Sequence, residues 1–304
     1  MATLKEAEVF SLLAGADDLL LAHPPVGEPK LRRLGELSRV VKRLAVALDS
    51  VEVAVSLPDG VEVLWEVDSG LHRLGTAPGE ATLAGVRALI SAIGADRFGG
   101  LITHGGHAYR ATDDSGLLDV SIEEVGSVTR TADMLRDAGI EVREISIGST
   151  PTTRHVDRAA GATEMRPGTY VYGDANQVQL GSQALEDCAL TVVATVVGTP
   201  DRQRAVVDAG SKALSADLRV AGVTGFGIVL GRPDVRVDRL SEEHAVLVGD
   251  PTTGLHIGDR VAIVPTHACT TINLYPELLV IEESGASRWE GVEARGWAPT
   301  HTPA

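Results

Sequence analysis

The first half of the chain alternates between two hydrophobic periodicities. Apolar residues recur at the three- and four-residue spacing of amphipathic helices over residues 5–13, 30–43, 80–93 and 122–138. Short runs that are apolar almost throughout lie between them, at residues 18–22, 44–48, 62–67, 99–103, 142–147 and 169–172. Alternating strands and helices predict a parallel sheet. Strands without a polar face predict burial on both sides, as in a closed barrel or a doubly wound sheet.

Polar and glycine-rich residues gather where several of these predicted strands end. The segments are HPP at 23–25, DSG at 68–70, HGGH at 104–107 and GSTPT at 148–152. A (β/α) barrel builds its active site at the C-terminal ends of its strands. Six or seven strands are predicted, not eight, and no G-x-G-x-x-G follows the first one. A (β/α) barrel that lacks its opening strand explains this pattern best.

The pattern changes in the second half of the chain. From Cys188 onward, short β-branched runs are separated by Gly, Pro and Asp turns, and no helix of comparable length lies between them. This pattern predicts an antiparallel β domain. We therefore expect an incomplete barrel over residues 1–178 and a β domain over 179–304. The polar tail at 285–304 is expected to fray.

Composition limits the partners and the compartment. The formal net charge of −15 opposes binding to nucleic acid and to anionic membranes, and aromatic residues, only 3% of the chain, leave few rings for stacking bases. Two cysteines do not make a disulfide framework. The N-terminus has no signal-peptide pattern, and no apolar run is long enough to span a bilayer. We expect a cytoplasmic protein.

The segment PTHACTT at 265–271 carries the sharpest chemical feature. If the segment is extended, His267 and Cys269 point to the same side and can bind one cation. Imidazole and thiolate are preferred zinc ligands, and two ligands leave coordination positions open for water or substrate. The alternative is a buried cysteine acting as a small hydrophobe beside an ordinary histidine.

Two loops could bind a ligand in the first half. Gly148, Ser149 and Thr150 follow a predicted strand, so their N–H and hydroxyl groups could hold a phosphate, although a plain helix cap is the alternative. Tyr109 ends the segment HGGHAY, whose glycines allow a ligand to approach the backbone. Its alternative is a tight turn beside a half-buried tyrosine.

Charged residues in the β domain offer weaker candidates. Lys212 is one of four lysines, and it is either a site for covalent chemistry or a surface charge. Glu242 and Glu243 precede His244, where a second metal or a general base is conceivable. A solvated turn, or a carboxylate that orients a metal-bound histidine, fits these two residues better.

Seven segments in a fixed order resemble one family, that of D-threonine aldolase and D-serine dehydratase. They lie at residues 67–75, 104–109, 148–152, 163–172, 208–215, 240–244 and 265–273, so the resemblance covers nearly the whole chain. It implies an alanine-racemase-like barrel that binds pyridoxal phosphate, followed by a β domain that donates a metal. A D-3-hydroxy-amino-acid lyase is the activity it implies, with a homodimer as the assembly.

The resemblance also implies roles for single residues. Gly148, Ser149 and Thr150 should hold the cofactor phosphate, Tyr109 should contact the pyridine ring, and Tyr172 should lie nearby. His267 and Cys269 should bind a divalent ion, for which cysteine favours zinc, with manganese as the alternative. Dehydration of D-serine and retro-aldol cleavage of D-threonine use the same groups, and the residues do not choose between them.

The chain departs from the family pattern in its lysines. The resemblance implies a Schiff-base lysine on the first barrel strand, within a basic, histidine-containing stretch. By the same resemblance, this stretch would precede Met1. Lys5, Lys30 and Lys42 do not match the motif, so the catalytic residue is not identified. An N-terminally truncated chain is expected. The alternatives are an amino-acid racemase, which needs no zinc, and a non-catalytic pseudo-enzyme that binds metal or pyridoxal phosphate.

Overall fold

A computed structural model describes residues 1–217, 219–249 and 254–296, without the side chain of residue 156. The chain divides into two compact units. Of the described residues, the first unit contains 1–108, 118–166 and Gly296, and the second contains 109–117, 167–217, 219–249 and 254–295. The boundary predicted from the sequence at residue 178 stays a proposal.

The first unit is built on a six-stranded parallel sheet whose strands follow one another in chain order. The strands are β1 (Asp18–Leu21), β2 (Arg43–Leu48), β3 (Glu62–Glu66), β4 (Phe98–Ile102), β5 (Glu144–Ile147) and β6 (Glu164–Met165). The helices are α1 (Leu4–Ala14), α2 (Glu28–Leu37), α3 (Val51–Val55), α4 (Glu80–Ile93) and α5 (Asp114–Asp137), whose first turn belongs to the second unit. The predicted alternation of strands and helices is confirmed.

Strand β2 shows why this sheet is buried on both faces. Successive side chains of a strand point to opposite faces, and every residue from Leu44 to Leu48 is buried. Leu44, Val46 and Leu48 belong to the large core that includes residues of the helices. Ala45 and Ala47 belong to a smaller cluster with residues of β3 and β4. Small side chains on one face and larger ones on the other are typical of a curved sheet covered on both sides.

The end of the second predicted helix differs from the prediction. The predicted helix at 30–43 ends at Leu37, where Ser38 folds back and its hydroxyl donates to the carbonyl of Gly35 over 3.0 Å. Its last predicted residue, Arg43, instead opens β2 and pairs with Asp18 and Glu62 beside it in the sheet. Pairing in the sheet outweighs the helical periodicity there. In contrast, α4 has the predicted bounds 80–93.

The second unit is a closed antiparallel barrel of six strands in the order β10-β11-β8-β7-β12-β9, with a separate hairpin of β13 and β14. The strands are β7 (Val192–Asp201), β8 (Arg204–Val207), β9 (Gly227–Val229), β10 (Val235–Leu240), β11 (Ala245–Gly249), β12 (Arg260–Pro265), β13 (Glu277–Ile281) and β14 (Ser287–Gly291). Three short helices accompany them: α6 (Ala175–Gln179), α7 (Ser211–Leu214) and α8 (Ala268–Ile272). The predicted antiparallel β domain is confirmed.

Two local predictions are wrong. The predicted strand at 169–172 is a 3₁₀ turn over Thr169–Val171, because Pro167 cannot continue a strand ladder and the turn closes through a bond from the N–H of Tyr172 to the carbonyl of Thr169. Part of the tail expected to fray forms β14, in which Trp289 pairs with Leu279. Residues 297–304 of that tail lie outside the described residues.

The helices carry no membrane-spanning candidate. Within residues 1–217, 219–249 and 254–296, none of them combines the length and the apolar character needed to cross a bilayer.

Candidate active site

Two of the predicted ligand loops meet at the C-terminal end of the parallel sheet. His104 and Gly105 follow β4, and Gly148 and Ser149 follow β5, the neighbouring strand. The Nδ1 of His104 lies 2.9 Å from the carbonyl oxygen of Gly148, and the Ser149 hydroxyl donates to the carbonyl of Gly105 over 3.3 Å. Burial lowers the pKa of His104, so the ring is neutral near pH 7 and carries its proton on Nδ1.

A buried carboxylate that sequence reasoning missed holds both loops. Glu124 lies on α5 with 1% of its surface exposed, and its Oε1 accepts the N–H groups of Gly105 at 2.6 Å and Gly148 at 2.9 Å. A Cβ on Gly105 would lie 2.6 Å from the carboxyl carbon of Glu124, so this position requires glycine. Gly148 has φ +121°, and a Cβ there would lie 2.8 Å from the backbone nitrogen of Arg166.

In the loop at residues 148–150, which the sequence predicts to hold a phosphate, most polar groups are already bonded within the protein. Both backbone groups of Gly148 are used, by Glu124 and His104, and the N–H of Ser149 donates to the Thr152 hydroxyl over 3.2 Å. The hydroxyl of Thr150 differs: it is buried and has no hydrogen-bond partner in the described part of the chain. A buried hydroxyl without a partner costs free energy, so it marks a place where a ligand oxygen would fit.

Arg166 ties the same strand ends together. Its guanidinium donates to the carbonyls of Thr103 at 2.5 Å and Ile147 at 3.1 Å, and also to the Ser146 hydroxyl. Burial lowers the pKa of Arg166, while the charges of Glu164 and Glu124 oppose that effect. The cation therefore offsets the buried carboxylates under these loops.

The four lysines lie elsewhere. Lys5 and Lys30 are on α1 and α2, and Lys42 forms an ion pair with Asp17. Lys212 forms ion pairs with Glu242 at 2.7 Å and with Glu243 at 2.9 Å. This arrangement matches the interpretation of Lys212 as a surface charge, and it gives the two glutamates a lysine as their partner. None of the four lysines lies on a strand of the parallel sheet.

His267 and Cys269 come together in the second unit, but not through the predicted extended segment. His267 is extended (φ −136°, ψ 111°) and caps α8, whereas Cys269 is the second residue of that helix. The helix begins there because the N–H of Thr271 bonds back to the carbonyl of His267. The imidazole and the thiol nevertheless hydrogen-bond to each other across this strand-to-helix junction. Cys269 remains exposed.

The charges of this pair depend on a third residue. The Nδ1 of His267 lies 2.6 Å from the Oδ2 of Asp217. Burial opposes a charged imidazole, but the bonds to Cys269 and Asp217 prevail and raise the pKa of His267 to about 9. The hydrogen bond from His267 lowers the pKa of Cys269. The metal-free pair is thus an imidazolium beside a readily formed thiolate.

Asp174 fixes the backbone of the same junction. Its Oδ2 accepts the N–H of Ala268, the residue between His267 and Cys269, over 2.9 Å, and its Oδ1 accepts the N–H of Gln177 at the start of α6. The carboxyl is fully buried, which raises the pKa of Asp174, although both N–H bonds oppose the rise. Asp174 and Asp217 were not identified from the sequence.

Tyr109 approaches this junction through two polar neighbours. Its phenol oxygen accepts from the Nε2 of Gln177 over 2.8 Å and bonds to the hydroxyl of Thr169, which lies 3.6 Å from the Sγ of Cys269. The Oε1 of Gln177 is buried without a hydrogen-bond partner among the described residues. Burial raises the pKa of Tyr109, so its phenol stays neutral near pH 7.

The predicted site residues divide between the two units. Gly148, Ser149 and Thr150 belong to the first unit, and Tyr109, Tyr172, His267 and Cys269 belong to the second. Tyr172 is half-buried, and its carbonyl accepts the N–H of Ala189 over 2.7 Å. The cofactor and metal roles of all seven stay predictions.

The donor set at the junction suits a catalytic rather than a structural metal. Among the described residues, no group of three His, Cys, Asp or Glu side chains is arranged to hold a metal. A nitrogen and a sulfur ligand next to solvent leave most coordination positions open. The first unit, in turn, offers an unpartnered hydroxyl in a glycine-rich loop.

Comparison with known proteins supports the resemblance seen in the sequence. The family model for the alanine racemase N-terminal domain matches residues 1–176, and the model described as "Putative serine dehydratase domain" matches residues 189–281. The chain is 33% identical to D-threo-3-hydroxyaspartate dehydratase of Delftia sp. (strain HT23), over 98% of this chain and 83% of the relative. It is 29% identical to D-serine dehydratase of Dictyostelium discoideum, over 92% and 78% of the two chains.

Solved structures agree with these relatives. That of the Delftia dehydratase superposes with a TM-score of 0.86 at 32% identity, covering 97% of this chain and 83% of that one, and it has also been solved as a cysteine-to-alanine mutant in the metal-free form. That of D-threonine aldolase from Filomicrobium marinum gives 0.85 at 28% identity, over 97% and 81% of the chains. The chain belongs to the D-threonine aldolase and D-serine dehydratase family, with an alanine-racemase-type first domain.

Proposed function

We propose that this protein is a metal-assisted lyase that uses pyridoxal phosphate and acts on D-3-hydroxy amino acids. The observation that carries the proposal is the His267–Cys269 pair, whose nitrogen and sulfur face each other next to solvent. Relatives along nearly the whole chain are named for dehydration or aldol cleavage of such substrates. The proposal includes both dehydration of D-serine and retro-aldol cleavage of D-threonine as candidate reactions.

The first unit fits the cofactor's phosphate. The orphaned hydroxyl of Thr150 would donate to a phosphate oxygen, while Gly148 and Ser149, whose own groups are mostly used within the protein, would shape the loop. In the second unit, the phenol of Tyr109, which accepts from Gln177, would contact the pyridine ring, and the half-buried Tyr172 would lie nearby. When bound, pyridoxal phosphate supplies an electron sink for charge at Cα, and a divalent cation supplies a Lewis acid for the β-hydroxyl.

The second unit fits a divalent cation. His267 would bind through the ring nitrogen that Asp217 does not hold, and Cys269 through its thiolate. Nitrogen with sulfur favours zinc over manganese, which prefers oxygen ligands. The exposed face of Cys269 leaves room for the β-hydroxyl of the substrate. The pair would therefore orient this hydroxyl, which leaves in a dehydration and loses its proton in a retro-aldol cleavage.

The Schiff-base lysine remains unassigned. None of the four lysines lies on a strand of the parallel sheet, and Lys42 and Lys212 form ion pairs. The activity test therefore uses both the 304-residue chain and a version that includes any in-frame sequence upstream of Met1. Activity confined to the longer version would assign the lysine to that sequence.

The decisive assay measures products with and without a chelator. D-serine, D-threonine and D-threo-3-hydroxyaspartate are each supplied; keto acid with ammonia reports elimination, and glycine with aldehyde reports retro-aldol cleavage. We expect metal-dependent turnover that Cys269→Ser abolishes. The matched control is Cys188→Ser, because the thiol of the other cysteine donates to a backbone carbonyl, that of Ala184, over 3.6 Å. Turnover that ignores both the chelator and Cys269→Ser would refute the proposed metal role.

The same assay separates the two alternatives. A racemase would release the L-amino acid without metal, since it needs an acid–base pair on opposite faces of the cofactor and no cation. A non-catalytic protein would bind pyridoxal phosphate or zinc without turnover in either version of the chain.

We also propose a homodimer in the cytoplasm. Ile281 and Trp289 expose large apolar side chains on the β13–β14 hairpin, as a surface between copies would. Both cysteines are free, which fits a reducing compartment. Light scattering of the purified protein tests the first statement, and fluorescence microscopy of a tagged chain tests the second.

A further inference from the structure

We infer that Asp217 and Asp174 are the positioning residues that hold His267 and Cys269 in the arrangement a divalent cation requires. The inference rests on the proposed metal role of that pair and goes beyond it by assigning two residues outside the H-x-C motif. Neither aspartate is a ligand in this scheme. Each acts through a hydrogen bond to the segment that carries the ligands.

Asp217 determines which nitrogen of His267 is available. Its Oδ2 lies 2.6 Å from Nδ1, so the imidazole proton sits on Nδ1 and Nε2 is left for a metal. Without this contact the ring could rotate or adopt the other tautomer. A carboxylate behind a metal-binding histidine also makes the imidazole a better ligand.

The chain strains its backbone to place Asp217. Ser215 has φ 61° and ψ 160°, a combination that residues other than glycine rarely adopt, and its hydroxyl accepts the N–H of Asp217 over 3.2 Å. The same segment is bonded to the H-x-C side of the unit at two more points. The Thr271 hydroxyl donates to the carbonyl of Leu214, and the Tyr275 hydroxyl donates to the carbonyl of Ala213. Such a conformation persists only where the surroundings impose it.

Asp174 holds the backbone at Ala268, between the two proposed ligands. Capping of α6 explains the bond from its Oδ1 to Gln177, but not the bond from its Oδ2 to the N–H of Ala268. That second bond joins residues 94 positions apart in the chain. It sets the first turn of α8, and with it the position of Cys269 relative to His267.

Titration of the 304-residue chain with Co²⁺ tests the inference, because absorption from thiolate to cobalt reports the Cys269 bond without any turnover. Asp217→Ala should weaken Co²⁺ binding by about 10- to 100-fold. Asp217→Asn keeps an acceptor oxygen for Nδ1 and should bind more tightly than Asp217→Ala. Asp259→Ala is the matched control: it removes the same charge from a carboxylate 3.5 Å from the Nδ1 of His256, and should bind Co²⁺ as the parent does.

Asp174→Asn should lower the affinity and also reduce the thiolate-to-cobalt absorption at saturation, because the junction no longer holds both ligands together. Should this variant fail to fold by circular dichroism, Asp217→Ala decides the matter, since its carboxylate is partly exposed. Binding by Asp217→Ala as tight as the parent's overturns the inference and leaves the proposed function standing. A parent chain whose Co²⁺ spectrum lacks thiolate absorption overturns both.

Discussion

Replacing Glu124 with alanine should destabilise the first unit, because this buried carboxylate bonds to two loops at once. The substitution removes the oxygen that accepts two backbone N–H groups, from Gly105 at 2.6 Å and from Gly148 at 2.9 Å. Both donors are buried beside it, and the glycine at position 105 leaves no side chain that could take over. The loops after β4 and β5 would lose their common anchor.

The expected loss follows from the two bonds. A hydrogen bond to a charged group contributes about 1.5–3 kcal/mol, and a buried donor left without a partner costs about 1–3 kcal/mol. Two such donors, partly relieved by water entering the vacated volume, predict about 3–5 kcal/mol of lost stability. Glu124→Gln keeps one acceptor oxygen and removes a buried charge, so its loss should stay below about 1.5 kcal/mol.

Urea unfolding followed by circular dichroism measures these differences. The matched control is Glu123→Ala, which removes the neighbouring, exposed carboxylate and its 3.6 Å contact with Arg130. Such a surface pair should change the free energy of unfolding by less than about 0.5 kcal/mol. Equal losses for Glu124→Ala and Glu124→Gln would refute the argument that accepting two N–H groups is what Glu124 contributes.

Three further changes, one of them with a control substitution, test other contacts. Thr150→Val should leave the free protein at least as stable, because the hydroxyl it removes has no partner, but should weaken pyridoxal phosphate binding by about tenfold while pyridoxal, without the phosphate, binds unchanged in a dialysis assay. Gly85→Ala should cost about 2 kcal/mol in urea unfolding, since its Cβ would lie 2.4 Å from the ring of Trp65 and overpacking costs up to about 3 kcal/mol against about 1 kcal/mol of helix propensity. Gly168→Ala, with open space around it, should cost less than about 0.5 kcal/mol. Burial lowers the pKa of His104, so the unfolded chain takes up a proton at this histidine more readily than the folded protein does. The folded protein is therefore destabilised as the pH falls below about 6.5, and this loss is absent above that value. His104→Gln should therefore reduce the slope of stability against pH between pH 7 and 5, by at most about 1.4 kcal/mol per pH unit, and an unchanged slope would contradict it.

Regular patterns in the sequence predicted the sheet because one physical cause produces both. A strand buried on two faces must be apolar throughout, as in residues 44–48, and a helix on the sheet must repeat its apolar residues, as in 80–93. Strand β10 shows where such a pattern gives a weaker signal. Its sequence, VRVDRL, carries three charges, and a shift of the pairing register between Val237 and Arg239 interrupts the alternation of apolar and polar residues.

The partners that organise the candidate site could not be predicted, because no local pattern encodes them. Asp217 lies 50 positions from His267, and Asp174 lies 94 positions from Ala268. Glu124 sits on a helix whose periodicity gives no sign that one of its carboxylates is buried. The H-x-C pair was found because its residue types are rare together, yet the turn that joins them depends on a backbone bond from Thr271.

Because Gly105 and Glu124 are in contact, a substitution at either position requires a compensating change at the other. A methyl group at 105 would overlap the carboxyl carbon, so alanine there is compatible only with a shorter acid that withdraws from the loop. Gly105→Ala alone should disrupt the site, whereas Gly105→Ala with Glu124→Asp would exchange one complementary pair for another. An engineer who wishes to reshape the loops at the C-terminal end of the parallel sheet must therefore change both positions together.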